Sequence, residues 1–512
     1  MSFELKDSKS YQTLSQNISR IEKIIKILKT SFGPYSMNKI ITRKNGRDVI
    51  TSDGATIVSN TISEDSIEKI LVEMVKSQDY EEGDGTTSVC LLTYEILIES
   101  FKLIQQGFDT KDIIKNLKKC GLLCQKILNE IAEDNKIKNF CSLRQFLLFC
   151  CSTSLKSKSI SSKRHIFSNI LVDIVLSMGN KFNKNSIIIQ EIMGGSSVDS
   201  FFFNGICFKK PFSYAGYEKQ KKKYFDGNLL LINFELELSA EKFECEFKIK
   251  NVSFFRKFID SEWSIFYEKL DSIVFSGCIV VLSSQSIGDL ATQYFSERNM
   301  LCGGRIEITI LEKISSITKA NIIPSVYEIS KNSIGFFRII EEKQISSEKY
   351  IFINSYTSKT LTLIIRGGND NLIKDTIRSV NDGLMVIKHI YHTNKFVGGA
   401  GSCEMKLSEK LRKYAKTLTG TDQYIVSKLS KVFEIIPKTL IENSGMDPLE
   451  IIAKLRKLNS SSEKWYGVEL SRGNIIDSLA NFVWEPLSMK MNIIKTALGT
   501  CDLIINTDNT IV

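Results

Sequence analysis

The sequence predicts an α+β multidomain protein in which a β-rich unit is inserted into a helical one. Apolar residues recur at helical spacing from residue 13 to about residue 150. Between about 185 and 366 the texture turns to short β-rich runs separated by glycines. From Leu372 helical spacing returns and continues to residue 457. In this order the two helical flanks build one domain from distant segments, with two crossings to the insertion. A chain of 512 residues is too long for one ordinary core, so two or three domains are expected.

Leu14, Ile18, Ile21, Ile25 and Leu28 form the stripe of a helix over 13–30, which Gly33-Pro34 must end because proline cannot continue it. Lys39–Thr42 and Asp48–Thr51 read as paired strands turned by Asn45-Gly46. Ser52-Asp53-Gly54-Ala55-Thr56 then sets a carboxylate beside a glycine at an element boundary. Residues 64–150 read as almost wholly helical: a pair flanking Gly83–Ser88, then 109–134 and 140–151. Strands are expected at Ser186–Gln190, Phe201–Phe208, Leu229–Leu238, Ile279–Leu282, Tyr350–Asn354 and Thr360–Arg366. The basic run Lys219–Lys223 lies between Gly216 and Gly227 and reads as a solvated loop. A helix over 251–274 carries Phe255, Phe258, Ile259, Trp263, Phe266, Leu270 and Ile273 on one broad face. Helices follow at 372–391, 402–416, 422–439 and 447–457, and a short strand near Leu503–Asn506 closes the chain.

Composition narrows the function classes. The 43% hydrophobic and 25% charged fractions are those of a soluble globular protein. No apolar run approaches the ~18 residues of a membrane span, and the acidic start Met1-Ser2-Phe3-Glu4-Leu5-Lys6-Asp7 is no secretory signal. Twelve cysteines without C-x-x-C pairs predict buried thiols in a reduced, intracellular chain. With three histidines, of which His389 and His392 lack a third ligand nearby, no histidine metal site is expected. A net charge of +10 is modest for this length, so neither nucleic acid nor membrane is an expected partner.

Gly83-Asp84-Gly85-Thr86-Thr87-Ser88 is the stretch with most chemistry. It joins the stripe Ile67, Ile70, Leu71, Met74, Val75 to the stripe Val89, Leu92, Ile96, Leu97. Two glycines let the backbone approach a ligand, and three hydroxyl residues at a helix start cap it or donate to phosphate beside its free amides. A carboxylate ~4 Å from a phosphate charge is repelled by roughly 4 kcal/mol at surface-like screening. If phosphate binds here, Asp84 must face it through a cation, with Mg²⁺ the natural choice. A plain glycine turn with a polar cap fits the same six residues. Asp382, on a helix with apolar Ile377, Val380, Leu384 and Ile387, falls near the polar edge, where a carboxylate is ordinarily solvated. Gly398-Gly399-Ala400-Gly401 precedes a helix and offers a second phosphate or hinge site.

These patterns together resemble the group II chaperonins, the ATP-driven double-ring folding machines, over nearly the whole chain. The carrying segments are Ser31-Phe32-Gly33-Pro34, SDGATI at 52–57, GDGTTSV at 83–89, GGSSVDS at 194–200, IIRGG at 364–368, RSVNDGLMVI at 378–387, EIIPKTLIENSGMDPLEIIAKLR at 434–456 and VWEPLSMK at 483–490. FSYAGYE at 212–218, DSEWSIFYEKL at 260–270, IGDLATQYF at 287–295, KWYGVEL at 464–470 and NFVWEP at 481–486 are similar to one subunit type of the eukaryotic cytosolic member.

The resemblance implies a helical equatorial domain (1–149 and 399–512), an intermediate hinge domain (150–211 and 367–398) and an inserted α/β apical domain (212–366) whose helical protrusion, about 240–275, forms a lid. It implies ATP and Mg²⁺ as cofactors, other chaperonin subunits and non-native client proteins as partners, and a cytoplasmic location. Asp84 resembles the Mg²⁺ ligand, and Gly85, Thr86, Thr87 and Ser88, with Gly83 before them, the phosphate cradle. Ser31, Phe32, Gly33 and Pro34 match the loop over the nucleotide, and Gly54 joins the phosphate site. Asp53 and Asp382 match the carboxylates that position and activate the attacking water. Lys158 falls in the loop that senses the γ-phosphate, Gly399 and Gly401 in the strip near the nucleotide, and Glu485 near the ribose. Because Asp382 and Asp53 belong to different domains in this scheme, hydrolysis is expected to wait for closure.

The chain departs from the family at Ala400, within a triplet usually all glycine, at Phe32, where leucine is usual, and at Tyr35-Ser36, where a basic-glycine pair is common. These departures motivate a second reading, a ring subunit that binds nucleotide with little turnover and a mainly structural role. The glycine–carboxylate sites by themselves also admit a soluble small-molecule phosphotransferase.

Overall fold

The computed structural model describes residues 9–42, 48–61, 65–134, 142–179, 186–212, 221–237, 252–356, 360–461 and 463–507. Two compact units emerge: Met1–Asn180 with Lys374–Val512, and Lys181–Ile373. The two flanks thus form one unit and the middle of the chain another.

The helical unit is built on two helices that are apolar nearly all round. Thr86–Gln105 buries Val89, Cys90, Leu91, Leu92, Ile96 and Leu97, and Leu487–Ile505 buries Ile493, Ile494, Ala497, Cys501 and Ile504. Helices of this kind belong inside a core, where each large aliphatic side chain contributes roughly 1.5–3 kcal/mol. They pack on each other and on Ser66–Glu82; Leu487–Ile505 also meets Thr110–Ile131, while Lys9–Lys29, Thr421–Val432 and Ile435–Asn443 close around Thr86–Gln105. The core joins residues as distant as Leu14 and Ile505. Lys39–Ile41 pairs antiparallel with Val49–Thr51. A three-stranded sheet has Lys395–Gly398 between Trp484–Pro486 and Glu133–Asp134, and Tyr466–Val468 pairs with Ile475–Asp477.

The second unit centres on a seven-stranded mixed sheet. Its main order is Ile206–Lys209, Glu348–Asn354, Gly335–Ile345, Lys223–Ile232, Val280–Ser283 and Leu301–Gly303, with Ile322–Ile323 also paired to Lys223–Ile232. The pleat sends alternate side chains to opposite faces. Leu229 and Leu231 join Leu311, Ile314 and Ile317 of the Ile308–Thr318 helix on one face. Leu230 and Ile232 join Phe266, Leu270 and Ile273 of the Val252–Phe275 helix and Phe295 of Asp289–Glu297 on the other. A smaller sheet sets Leu361–Gly367 between Ile187–Met193 and Phe201–Asn204.

Several expectations change. Leu503–Asn506 is not a strand: Ile504 and Ile505 are the last turn of the Leu487–Ile505 helix, held by its core stripe. The helix expected over 422–439 is two, Thr421–Val432 and Ile435–Asn443. Pro437 sits in the first turn of the second, where its missing N–H costs nothing. The expected strand Phe201–Phe208 breaks at Gly205, whose φ is +142° and where a Cβ would lie 2.2 Å from the Ile353 carbonyl oxygen. The strand expected from Leu229 begins at Lys223 and ends at Ile232, so Lys223 and Gly227 are strand residues rather than loop; Lys223 faces Glu341 at 3.3 Å. The Arg164–Met178 helix and the Glu133–Asp134 strand were not anticipated. On Val252–Phe275 the broad apolar face is buried only toward its C-terminal end: Phe258 and Trp263 are exposed. Asn45-Gly46, Gly216, Lys219 and the part of the expected lid at 238–251 lie outside the described residues.

Candidate functional site

Two helix starts meet at the centre of the site. Ser66–Glu82 ends on Gly83 at φ +74°, and Thr86–Gln105 starts from Gly85 at φ +84°, left-handed conformations that favour glycine. A Cβ on Gly85 would lie 2.7 Å from Ile493 Cδ1, so the turn is pressed onto the core. Between the glycines, Asp84 Oδ1 accepts the Gly85 amide at 2.7 Å and Oδ2 accepts the Ser154 hydroxyl at 2.9 Å. Gly85 has no side chain to cap the helix, so the first-turn amides at Thr86, Thr87 and Ser88 keep their positive end of the dipole for a ligand. Facing them, Asp53 caps the Gly54–Asn60 helix: its Oδ2 accepts the Thr56 amide at 3.0 Å and the Thr56 hydroxyl at 2.7 Å. A Cβ on Gly54 would lie 2.5 Å from Thr87 Oγ1; only glycine allows the two starts to touch.

The Ser31–Pro34 loop is fastened from two sides. Ser31 Oγ donates to the Leu28 carbonyl at 2.8 Å, and Asn443 Nδ2 donates to the carbonyls of Lys29 and Phe32, each at 2.8 Å.

Asp382 is buried, not solvated at a polar edge. Its partner is Lys158, in the turn after the Leu143–Leu155 helix: Lys158 Nζ donates to Asp382 Oδ2 at 2.6 Å and stands 3.9 Å from Asp84 Oδ1. Burial pushes the Asp382 carboxyl up, against the pull of Lys158 and with repulsion from Asp53 and Asp84, to about 8. Burial lowers the Lys158 ammonium, but Asp382, Asp84 and Asp53 more than reverse it and hold it well above its ordinary value. Burial also raises Asp53, yet Lys158, the two bonds from Thr56 and Arg378 outweigh it and hold the carboxyl below its ordinary value. One carboxylate of the set therefore retains a proton near neutrality while another stays ionised, the division of labour that acid–base chemistry needs.

A second acid–lysine group lies at the far wall. Lys490 donates to Glu404 Oε1 at 2.6 Å and pairs with Glu485. Burial lowers the Lys490 ammonium, and Glu404 and then Glu485 overturn that and push it well up. Glu485 is carried by the Trp484–Pro486 strand, and Trp484 beside it is packed by Phe146, Phe149, Phe396 and Phe482. A Cβ on Gly399 would lie 2.7 Å from Glu485 Oε1. Ala400 takes φ +56°, a left-handed conformation for a residue with a Cβ, and its carbonyl accepts the Val468 amide at 3.1 Å.

These elements enclose a cavity of about 710 Å³ within the helical unit. Its wall includes Ser31, Phe32, Gly33 and Pro34 from the loop, Asp53 and Gly54 from one helix start, and Asp84 through Ser88 from the other. Lys158, Gly401 and Glu485 complete the expected set on the wall. Gly83, Gly399 and Asp382 stand behind it: a Cβ on Gly83 would lie 3.6 Å from the Asp382 Cα, and Asp382 reaches the wall through Lys158. Sequence reasoning missed Arg164, Lys156, Ser154, Asn481 and Lys490, which also line the cavity. No local pattern distinguishes a lysine or arginine here from the chain's many solvated ones.

Among the described residues no group of three His, Cys, Asp or Glu is placed to hold a metal unaided. A single carboxylate beside an amide-lined helix start nonetheless suits Mg²⁺, which takes one or two protein carboxylates and completes its shell with water and phosphate oxygens. Asp84 fits that part.

The sequence matches the TCP-1/cpn60 chaperonin family over residues 24–512. The chain belongs to this family. It is similar to T-complex protein 1 subunit eta of Arabidopsis thaliana, 37% identical over 502 residues that cover 97% of this chain and 90% of the relative. The eta subunits of Saccharomyces cerevisiae and Homo sapiens are also 37% identical, covering 97% and 98% of this chain and 90% and 93% of their own lengths. The chaperonin resemblance read from the motifs is thus correct, and its eta-like segments agree with these relatives. As a chaperonin subunit the chain is a molecular chaperone with the α+β architecture of the family. No helix among the described residues is long and apolar enough to cross a membrane.

Proposed function

We propose that the chain is the eta-type subunit of a hetero-oligomeric cytosolic double-ring chaperonin that encloses non-native proteins, and that it binds Mg·ATP in the cavity and hydrolyses it. The carrying observation is that Asp53, Asp84 and Asp382 converge on Lys158 beside an uncapped helix start. The amides and hydroxyls of Thr86, Thr87 and Ser88 bind phosphate oxygens. Mg²⁺, held by Asp84, supplies charge neutralisation to the phosphates. Ser31–Pro34 and Gly54 shape the phosphate end, while Gly399, Gly401 and Glu485 serve the nucleoside end. Lys158 exchanges Asp382 for the terminal phosphate, and the released Asp382, with Asp53, orients and deprotonates the attacking water. With its carboxyl raised to about 8, Asp382 is mostly protonated at neutral pH, so it takes that proton in its ionised fraction and hydrolysis speeds up as pH rises toward 8. The equatorial, intermediate and apical division expected from the family belongs to the same reading, with closure of the domains gating the reaction.

The test uses the assembled particle and 8-azido-ATP crosslinked to this subunit. An α-³²P label reports binding; loss of a γ-³²P label reports hydrolysis. Wild type takes both labels and loses the second. Asp382→Asn keeps both. A subunit that never takes the α label refutes the proposal. The second reading, binding with little turnover, is favoured by Ala400 at φ +56° on the cavity wall; it predicts that wild type itself retains the γ label.

A further inference from the structure

Arg378, which helps to hold the Asp53 carboxyl ionised, touches both sides of the site. It lies four residues before Asp382 on the Asp370–Thr393 helix, so the two side chains lie one turn apart on the same side. Its Nη1 donates to Thr51 Oγ1 at 3.0 Å and to Thr56 Oγ1 at 3.2 Å. Thr56 Oγ1 is the atom that donates to Asp53 Oδ2 at 2.7 Å. Thr51 Oγ1 in turn accepts the Asp53 amide at 3.0 Å and donates to Asp375 Oδ1 at 3.0 Å.

The polarity of these contacts is forced. A guanidinium only donates, and a hydroxyl has one proton. Thr56 accepts from Arg378, so its proton is committed to Asp53. Thr51 accepts from Arg378 and from the Asp53 amide, so its proton is committed to Asp375. Both bonds from Thr56 fall on Oδ2 of Asp53, a residue that helps to line the cavity, and so fix the plane of its carboxylate. We propose that Arg378 is a positioning residue: from the helix that carries Asp382, it fixes the Thr56 and Thr51 hydroxyls so that the Asp53 carboxylate is presented in register with Asp382. The inference rests on the ATPase reading above. The arrangement suits arginine over lysine, because Nε donates to the Lys374 carbonyl at 3.3 Å and so orients the planar head from which Nη1 serves both hydroxyls.

The same crosslinking assay in the assembled particle tests it. Arg378→Met is expected to take the α label within about threefold of wild type while losing the γ label more slowly, by on the order of tenfold to a hundredfold, the cost of misplacing a reacting group. Thr56→Val, which removes only the hydroxyl, is expected to do the same and carries the test should the arginine variant not assemble. Because the two residues act as one chain, the double variant is expected to be no slower than the slower single one. Arg378→Lys is expected to recover only part of the rate. Wild-type loss of the γ label with an unchanged Arg378→Met overturns this inference alone, as does full recovery by lysine or an additive double variant. A weaker α label with a normal rate of γ loss assigns Arg378 to binding and overturns it as well. A wild type without α label overturns the ATPase reading and this inference with it.

Discussion

Lys158, half-buried, and Lys490, buried, both border the same cavity and both sit between carboxylates, yet they are scaffolded differently. Lys490 projects from the start of a core helix, and its partners Glu404 and Glu485 are held by another helix and by a strand backed with aromatic rings. Lys158 projects from a turn after the Leu143–Leu155 helix. One of its three carboxylates, Asp382, holds a proton near neutrality and can release it. The lesson is that the same ion pair makes a strut on rigid elements and a movable contact on a turn, and only the second leaves charge for an incoming ligand to rearrange.

The largest expected effect is at the movable group. Asp382→Asn should slow γ-label loss by on the order of 10²–10⁴-fold, the usual contribution of a positioned base, while Glu485→Gln should change it by less than about tenfold. Equal losses would erase the distinction. Next comes stability. Lys490→Met strands the buried Glu404 and the half-buried Glu485 and should cost about 3–5 kcal/mol in urea unfolding of the subunit. Lys158→Met should cost clearly less, because Asp382 already holds a proton near neutrality; comparable losses would make Lys158 a strut as well.

The pH dependence of the nucleotide-free protein is smaller and has a definite sign. The Asp382 carboxyl is raised to about 8, above the ~3.9 of an unfolded aspartate. The folded state then holds a proton that the unfolded chain has released, so stability falls as pH rises from about 4 toward 8. Asp53 is lowered, and its contribution is lost only as pH falls below the ordinary carboxylate range. Lys158 is raised, so its contribution persists through this window and fades only in strong alkali. Urea unfolding at pH 5 and pH 8 should show wild type losing more stability than Asp382→Asn over that interval; parallel losses would remove Asp382 as the titrating group. The smallest effect is at Ala400: glycine there removes a left-handed strain of about 1 kcal/mol, detectable as a slightly raised unfolding midpoint and absent if the backbone has already relaxed.

What the sequence made legible was local. Gly83, Gly85 and Gly54 announce themselves because backbone geometry and close approach demand glycine, and Asp53 and Asp84 stand beside them. The burial of Asp382 was hidden, because its partner Lys158 lies 224 positions away and a helix stripe alone puts the residue at a polar edge. Glu404 and Lys490 were missed for the same reason: charged helix residues read as solvated until their partners are seen. Arg378 was visible inside a motif but carried no role until Thr51 and Thr56 were brought to it. Helix and strand were confused where β-branched residues are dense, as at Ile504-Ile505, and the break at Gly205 depends on a carbonyl of another strand.

The place of the Leu487–Ile505 helix in the chain has a consequence for biogenesis. It is the last described element, yet it packs against Ser66–Glu82, Thr86–Gln105 and Thr110–Ile131 at the centre of the helical unit. The Lys181–Ile373 unit is continuous in the chain, so it leaves the ribosome complete while the helical unit still lacks its keystone. At about 5–20 residues per second the gap lasts on the order of ten seconds. During that time the apolar faces of Thr86–Gln105 and its neighbours have no partner. Chains ending before Leu487 should therefore yield a protease-resistant fragment from the middle of the sequence and none from its flanks; a resistant N-terminal fragment would contradict this order. A subunit of a folding machine thus spends its own synthesis as the kind of unfinished chain that such machines protect.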